Sequence, residues 1–553
     1  MSSDRRDFLK FLFGGTAMGM TLSPLELLIR GAISQSQNEA MAQSTLQKFY
    51  FNLSFRAAPD RATYDLFLDP YSATGNNVIE SAGFATCYGS SNGNRFDEAI
   101  YKTFKVPGHN IHAPWMWGQK MPTSDGFKNI YDLMENMLVI QGVRTASPGH
   151  PMSQVKSEEG NGITMAGMLS DYTDSPLNTI QMNSTYTFQS AKGKMSAPLA
   201  DSMTRNVIND LMAKFNKNQV VTFSNLKDEL SESFKNAVDN MNYDSGVRSP
   251  STLTMKNTYD GAIELVASSA QDFATVWADK LAKYKNVTEL ACTDKDNFNG
   301  FLDKPIGKLT ARNNQYSVSS TEQCFNQDLR DIITKDTCVA MSSVFAVAEF
   351  IANSKYAVAL NTRIPTPMTM LQTTESGSSS RQTITNDQHN TGIMLRTLTN
   401  ALMYRSVSSC LYEFRKFLKT ESAGFNFDQT VIRLNGDFCR SPRADGFGAD
   451  HGWQASNTVL ISGMVEAPLI VGRIYKDGMA HGIHGANYKG SWGVGAPVTI
   501  NGVTAVLTQG NVLSSIASML GVPSPANNSP SLLRLSNSKV QLADPSLKLK
   551  VVA

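Results

Sequence analysis

Hydrophobic positions along this chain change their spacing twice. In the first third they come as short, nearly continuous runs. Phe49-Tyr50-Phe51-Asn52-Leu53-Ser54-Phe55 reads as a strand by its aromatic content, and Met137-Leu138-Val139-Ile140-Gln141-Gly142-Val143 reads as a buried parallel strand. Glycines, serines and asparagines around 72–94 mark a long loop between them. From about 196 to 340 the spacing becomes helical, over Arg205 to Phe215, Leu226 to Met241 and Ala262 to Tyr284. In the last of these, Ile263, Val266, Ala270, Phe273, Val276, Trp277 and Leu281 share one face. From Met341 onward helix and strand alternate. Val344 to Ala352 predicts a helix and Tyr356 to Leu360 a strand. Thr391 to Leu418 predicts a long helix with Leu398, Leu402, Leu411, Phe414 and Leu418 along one side. Thr430 to Leu434 predicts the next strand. Val498 to Val506 predicts a hairpin turning at Asn501-Gly502, and Val512 to Leu520 a last helix stopped by Gly521. This alternation predicts an α/β fold: a central, mostly parallel sheet flanked by helices, interrupted by a helical insertion at about 196–340.

The first 42 residues do not fit that pattern. Asp4-Arg5-Arg6-Asp7-Phe8-Leu9-Lys10 places paired arginines ahead of an apolar, glycine-containing run from Phe11 to Leu22. Ala40-Met41-Ala42 then supplies small residues two apart, as at a cleavage site. The order predicts a twin-arginine signal peptide over 1–42, with Gln43 opening a mature α/β domain over 43–553. The partner it implies is the twin-arginine export machinery, and the location is periplasmic or exported. The apolar run falls short of the ~20 residues of a membrane span, and no later run reaches that length uninterrupted. No stable span is expected after processing.

Composition narrows the field further. Hydrophobic residues make up 41% and charged residues 18%, enough for a large core. A net charge of +2 with no basic block argues against a nucleic-acid partner. The six cysteines, at 87, 292, 324, 338, 410 and 439, include no Cys-x-x-Cys pair. In an oxidising compartment Cys292, Cys324 and Cys338 are close enough in sequence to supply a disulfide, and unpaired buried thiols are the alternative.

Three short polar clusters follow predicted strands. They are Asp387-Gln388-His389, then Asp437-Phe438-Cys439-Arg440, then Asp450-His451-Gly452. Open α/β sheets bind ligands beyond the carboxyl ends of their strands, where these clusters would gather. Carboxylate and imidazole together suit a divalent zinc, manganese or iron ion. An arginine beside them can hold a phosphate or sulfate through its fork of donors. The alternative for each cluster alone is a cap or surface feature.

With these motifs in order, the chain resembles a family of twin-arginine-exported bacterial proteins related to the sulfatases and the alkaline phosphatase superfamily. Asp387-Gln388-His389 is similar to the family's Asp-Thr-His. Gly436-Asp437-Phe438-Cys439-Arg440-Ser441 is similar to its Ser-Glu-Phe-Gly-Arg-Thr. Asp450-His451-Gly452 stands unchanged, and Ile516 to Val522 is similar to the closing helix. The resemblance covers most of the mature chain and is strongest after 340. It implies an alkaline-phosphatase-like fold and metal-assisted hydrolysis of a phosphate or sulfate ester. It further implies Asp387, His389, Asp450 and His451 as metal ligands, with Asp60 and a late histidine, His484 or His481, as additions. Arg440, with Asp437 beside it, would hold the anion.

Two departures stand out. The family's glycine-rich motif near the mature N-terminus is Ala57-Ala58-Pro59-Asp60-Arg61 here, so Asp60 is kept without the glycines that permit close backbone approach. The nucleophile's usual place, after the second core strand, is filled by Thr145 to Ser153. It holds Ser147, Ser153 and a histidine, His150, similar to the family's Ser-His. Cys87 lacks the sulfatase Cys-x-Pro-x-Arg context. His109 and His112 read as structural. A non-catalytic exported binding or cell-surface protein that keeps the fold is the alternative to the hydrolase.

Overall fold

The computed structural model describes residues 47–55, 64, 104–109, 111–145, 149–173, 177–182, 188–194, 196–199, 279–294, 297, 339–355, 357–364, 369–375, 378–384, 393–442, 449–452, 455–472, 474–475 and 494–547. Eight strands form one central sheet: β1 (Phe49–Phe55), β2 (Met137–Val143), β3 (Leu177–Met182), β4 (Ser196–Leu199), β5 (Ala357–Ile364), β6 (Thr430–Gly436), β7 (Ser456–Ile461) and β8 (Leu469–Val471). Their spatial order is β4-β3-β5-β1-β6-β7-β2-β8. All neighbours are parallel except β7, which runs antiparallel to both β6 and β2. The two strands read from apolar runs, β1 and β2, and the strand expected near 356–360 therefore share one sheet.

Alternation along β1 explains why helices cover both faces. Odd positions are aromatic or aliphatic and turn to one side. There Phe51 meets Phe345 of α3 (Val339–Ser354) edge-on at 5.6 Å between ring centroids, and Phe414 of α4 (Ile393–Thr420) at 5.7 Å. Phe55 packs on Tyr404 of α4 at 5.2 Å. Even positions are Tyr50, Asn52 and Ser54, all buried on the opposite side. That face is covered by α1 (His150–Glu158), α2 (Met165–Asp171) and α5 (Gln509–Leu520). It carries polar groups at its centre. Gln181, Asn361, Asn52 and Arg433 stand in register on four adjacent strands.

Local signals account for the element ends. Asn501 and Gly502 both take positive φ, 51° and 80°, as the hairpin Pro497–Ile500 with Val503–Val506 requires. Gly521, at φ 73°, ends α5 in the left-handed conformation. Among the described residues no helix is long and apolar enough to cross a membrane.

Two differences from the sequence reading are physical. The position near 196, expected to open the helical insertion, is strand β4 of the sheet. It carries Pro198, which supplies no backbone N–H, and is tolerated because β4 lies at the sheet edge. The helix expected to end at Tyr284 continues, and residues 279–293 are helical. Tyr284, Val287 and Ala291 keep its buried face going beyond the polar Lys285-Asn286. Cys292, a candidate for a disulfide with Cys324 or Cys338, is buried, with its sulfur 3.3 Å from the Ser406 hydroxyl; the other two cysteines lie outside the described residues. Cys410 is a free, buried thiol, and burial pushes its pKa well up.

Candidate active site

Strand β6 ends at Gly436, and the chain bends at once through Asp437 and Phe438 into a hairpin, Cys439–Pro442 with Ala449–Gly452. Strand β2 points the same way, since β7 is antiparallel to both. Just beyond it, Gly149 leads into α1, whose first residues are His150 and Pro151. Proline near the first helical position supplies a backbone already set for a helix. His150 and Asp437 thus leave two different strands at the same, carboxyl edge of the sheet.

There they meet. His150 Nδ1 lies 2.8 Å from Asp437 Oδ2, and His150 Nε2 lies 3.2 Å from an Arg440 guanidinium nitrogen. Asp437 and Arg440 have no exposed surface, while the His150 side chain keeps 23% of its own. The imidazole also leans on the Phe438 ring, centroids 4.6 Å apart. Arginine only donates hydrogen bonds. With Arg440 donating to Nε2, the proton of a neutral ring resides on Nδ1 and is given to Asp437. The arrangement therefore fixes one tautomer and leaves Nε2 as a basic nitrogen capped by a cation.

Below this lies a second buried cluster. Glu158, the last residue of α1, pairs with Arg433 of β6, and neither has exposed surface. The Tyr50 hydroxyl donates to Glu158 Oε2 at 3.2 Å. Burial pushes the Glu158 carboxyl above its ordinary pKa, against the pull of Arg433 and Tyr50. Burial and the Glu158 charge hold the Tyr50 phenol well above its own.

The candidate residues divide by place. Asp437 and Arg440 come together around His150. Arg440, the candidate anion holder, is fully buried, with one guanidinium nitrogen against the His150 ring. In the backbone ladder of the hairpin, His451 stands opposite Arg440 and Asp450 opposite Ser441. The Asp-His-Gly segment is thereby carried to the strand beside Arg440. Ser153 belongs by its backbone to the first turns of α1. Asp60, Ser147, Asp387, His389, His481 and His484 lie outside the described residues, as do Cys87, Cys324 and Cys338. Among the described residues no group of three His, Cys, Asp or Glu side chains gathers as a metal site. His112 sits in a short ladder with Lys105, and burial first, then that lysine, lowers its pKa. Sequence reasoning missed Tyr50, Glu158 and Arg433; a charged residue within an apolar strand run was the available signal.

One groove of about 440 Å³ lies elsewhere, lined by Val106, His109, Tyr131, Glu135, Arg415 and Glu466 among others. It opens near the amino ends of β2 and β8. Its Arg415 is occupied by the Asp132 carbonyl at 2.8 Å, so the carboxyl edge holds the better case for chemistry.

In comparisons with known proteins, no family model, curated protein or solved structure matches the chain.

Proposed function

We propose that this chain is an exported, metal-dependent hydrolase of phosphate or sulfate esters with an alkaline-phosphatase-like α/β fold. The observation that carries the reading is the imidazole of His150 held between the buried Asp437 carboxylate and the Arg440 guanidinium at the carboxyl edge of the sheet. A divalent zinc, manganese or iron ion, when bound, would polarise the ester oxygen and lower the pKa of a water or hydroxyl nucleophile. The described donors fit such an ion in part. A buried carboxylate orienting a histidine is the usual support of an imidazole ligand or base. Asp450 and His451 adjoin it through the hairpin register. Asp387, His389, Asp60 and His484 complete the ligand set in the proposal, on the family resemblance alone.

The chain's own residues have definable roles. Arg440 is suited to a phosphate or sulfate group, which it can engage with two parallel donors. Turning to that anion would uncap His150 Nε2. The freed nitrogen would then accept a proton from the attacking water or hydroxyl, while Asp437 stabilises the imidazolium that forms. Ser147 and Ser153 remain the candidate hydroxyl nucleophiles. Anion binding and base release would thus be one event.

The test is hydrolysis of aryl phosphate and aryl sulfate by protein recovered after export, with zinc, manganese or ferrous ion added in turn. His150→Ala and Arg440→Met should each lower kcat/KM by about 10²-fold or more, the usual worth of a positioned acid–base group. If wild type cleaves neither ester with any metal and retains no divalent ion on elemental analysis, the hydrolase reading is wrong. A non-catalytic binding protein would then remain.

A further inference from the structure

We propose that the buried pair Glu158 and Arg433 is a positioning device that fixes His150 against Asp437, acting through the whole length of α1. Its structural part is independent of the hydrolase reading; only its effect on turnover rests on that reading.

Helix α1 is docked by polar contacts. Met152 is 52% exposed and Val155 is only half-buried. Among the described side chains of α1, Ser157 and Glu158 alone are fully buried, both at its far end. The contacts form rungs between α1 and β6. Arg433 pairs with Glu158, and the same guanidinium nitrogen donates to the Ser157 carbonyl at 3.1 Å. The Asn435 amide nitrogen donates to the Ser157 hydroxyl at 3.3 Å. His150 and Asp437 make the last rung. Arg433 and Asn435 are alternate residues of β6 and Asp437 sits at the bend just past its end, so one short run of chain meets both ends of the helix. Side contacts hold the pair itself. Tyr50 of β1 donates to Glu158, and Arg433 donates to Gln509 of α5 at 3.4 Å.

The geometry gives the far pair leverage. Eight residues at about 1.5 Å each place His150 roughly 12 Å from Glu158. A tilt of about 5° at the anchored end therefore moves His150 by roughly 1 Å, enough to break a 2.8 Å hydrogen bond. Stability is a weak reason for such a pair. Apolar residues of similar volume usually serve as well or better in a buried site, whereas directional donors fix tilt and rotation.

The test uses full-length protein with 15N-labelled histidine and the paired substitution Glu158→Leu with Arg433→Met. Wild type should show His150 with a protonated Nδ1 and an unprotonated Nε2. The double variant should stay folded by circular dichroism, yet its His150 nitrogens should shift toward tautomer-averaged values. On an ester substrate its kcat should fall by about 10²-fold with KM little changed, as a misplacement near 1 Å costs. If the double variant does not fold, Glu158→Asp serves, since one methylene less pulls the rung while keeping the charge; the same nitrogen shifts are expected. A folded variant with unchanged His150 nitrogens overturns the proposal. If wild type cleaves no ester but the nitrogens shift as expected, the hydrolase reading fails and the positioning device stands.

Discussion

The amino-terminal end of the helix at 279–293 is clasped to the core by one carboxylate, and that attachment should be sensitive to acid. Glu349 of α3 is 2% exposed and accepts hydrogen bonds from Lys280, from Lys283 at 2.7 Å and from the Tyr284 hydroxyl at 2.6 Å. Glu413 of α4 also faces this cluster, with its own oxygens taken by the Ser124 amide and hydroxyl. Glu349→Gln keeps the shape but removes the negative charge opposite both lysines and replaces one accepting oxygen with an NH2 that can only donate. Losing the charge attraction to two lysines should weaken the clasp by about 2 kcal/mol, about 1 kcal/mol for each. Burial works to raise the Glu349 pKa, but Lys283, Lys280 and Tyr284 together outweigh it and hold the carboxyl below 4.5. A carboxyl lowered on folding stabilises above its unfolded pKa and loses that contribution as pH falls through its folded value. Wild type should therefore lead the Gln variant by the full amount at pH 7. The lead should shrink to nothing as pH drops through the lowered Glu349 range. Hydrogen exchange of peptides spanning 279–293 reads this directly, with about thirtyfold greater protection in wild type at neutral pH. Equal protection at pH 7, or a difference undiminished in acid, would refute the clasp.

Two other outcomes are expected. Neither amide atom of Asn52 has a hydrogen-bond partner at 0% exposure, so Asn52→Leu should raise stability by about 1–2 kcal/mol in urea unfolding; a lower midpoint would contradict this. Replacing Arg5 and Arg6 by lysine should trap the precursor in the cytoplasm, as read by cell fractionation, and normal export of the double variant would remove the twin-arginine assignment.

The parts of the fold legible in the sequence are those whose cause is local. β1 and β2 announce themselves by buried runs, the hairpin by Asn501-Gly502, and α5 by its stop at Gly521. The parts missed have polar residues where a pattern reader expects apolar ones. β3 reads Leu-Asn-Thr-Ile-Gln-Met, yet Thr179 is buried because Ser170 of α2 bonds its hydroxyl at 3.1 Å. β4 hides behind its proline. The hairpin Thr369–Glu375 with Ser378–Ile384 is rich in threonine and serine, although Ser376-Gly377 between its strands was an available turn signal.

The site follows the same division, and this explains why half of it was visible. Asp437 and Arg440 could be singled out because they follow a strand directly, and strand ends are where open α/β sheets bind ligands. His150 could be noticed but not assigned, because its value depends on a carboxylate 287 positions away. Glu158 and Arg433 are hidden more deeply. On its own α1 reads as a surface helix, with Met152 outward and charges at its end. Only when β6 lies under it does its polar face become the buried one: Arg433 and Asn435 of the distant strand donate to Glu158 and Ser157, and Asp437 accepts from His150. Periodicity registers which residues avoid water, and it treats a charge as a mark of the surface. A helix that docks through paired polar groups inverts that rule, and here the inversion occurs where a side chain must be held at a set angle. Apolar packing would have left α1 easier to read but freer to roll about its axis, and His150 with it.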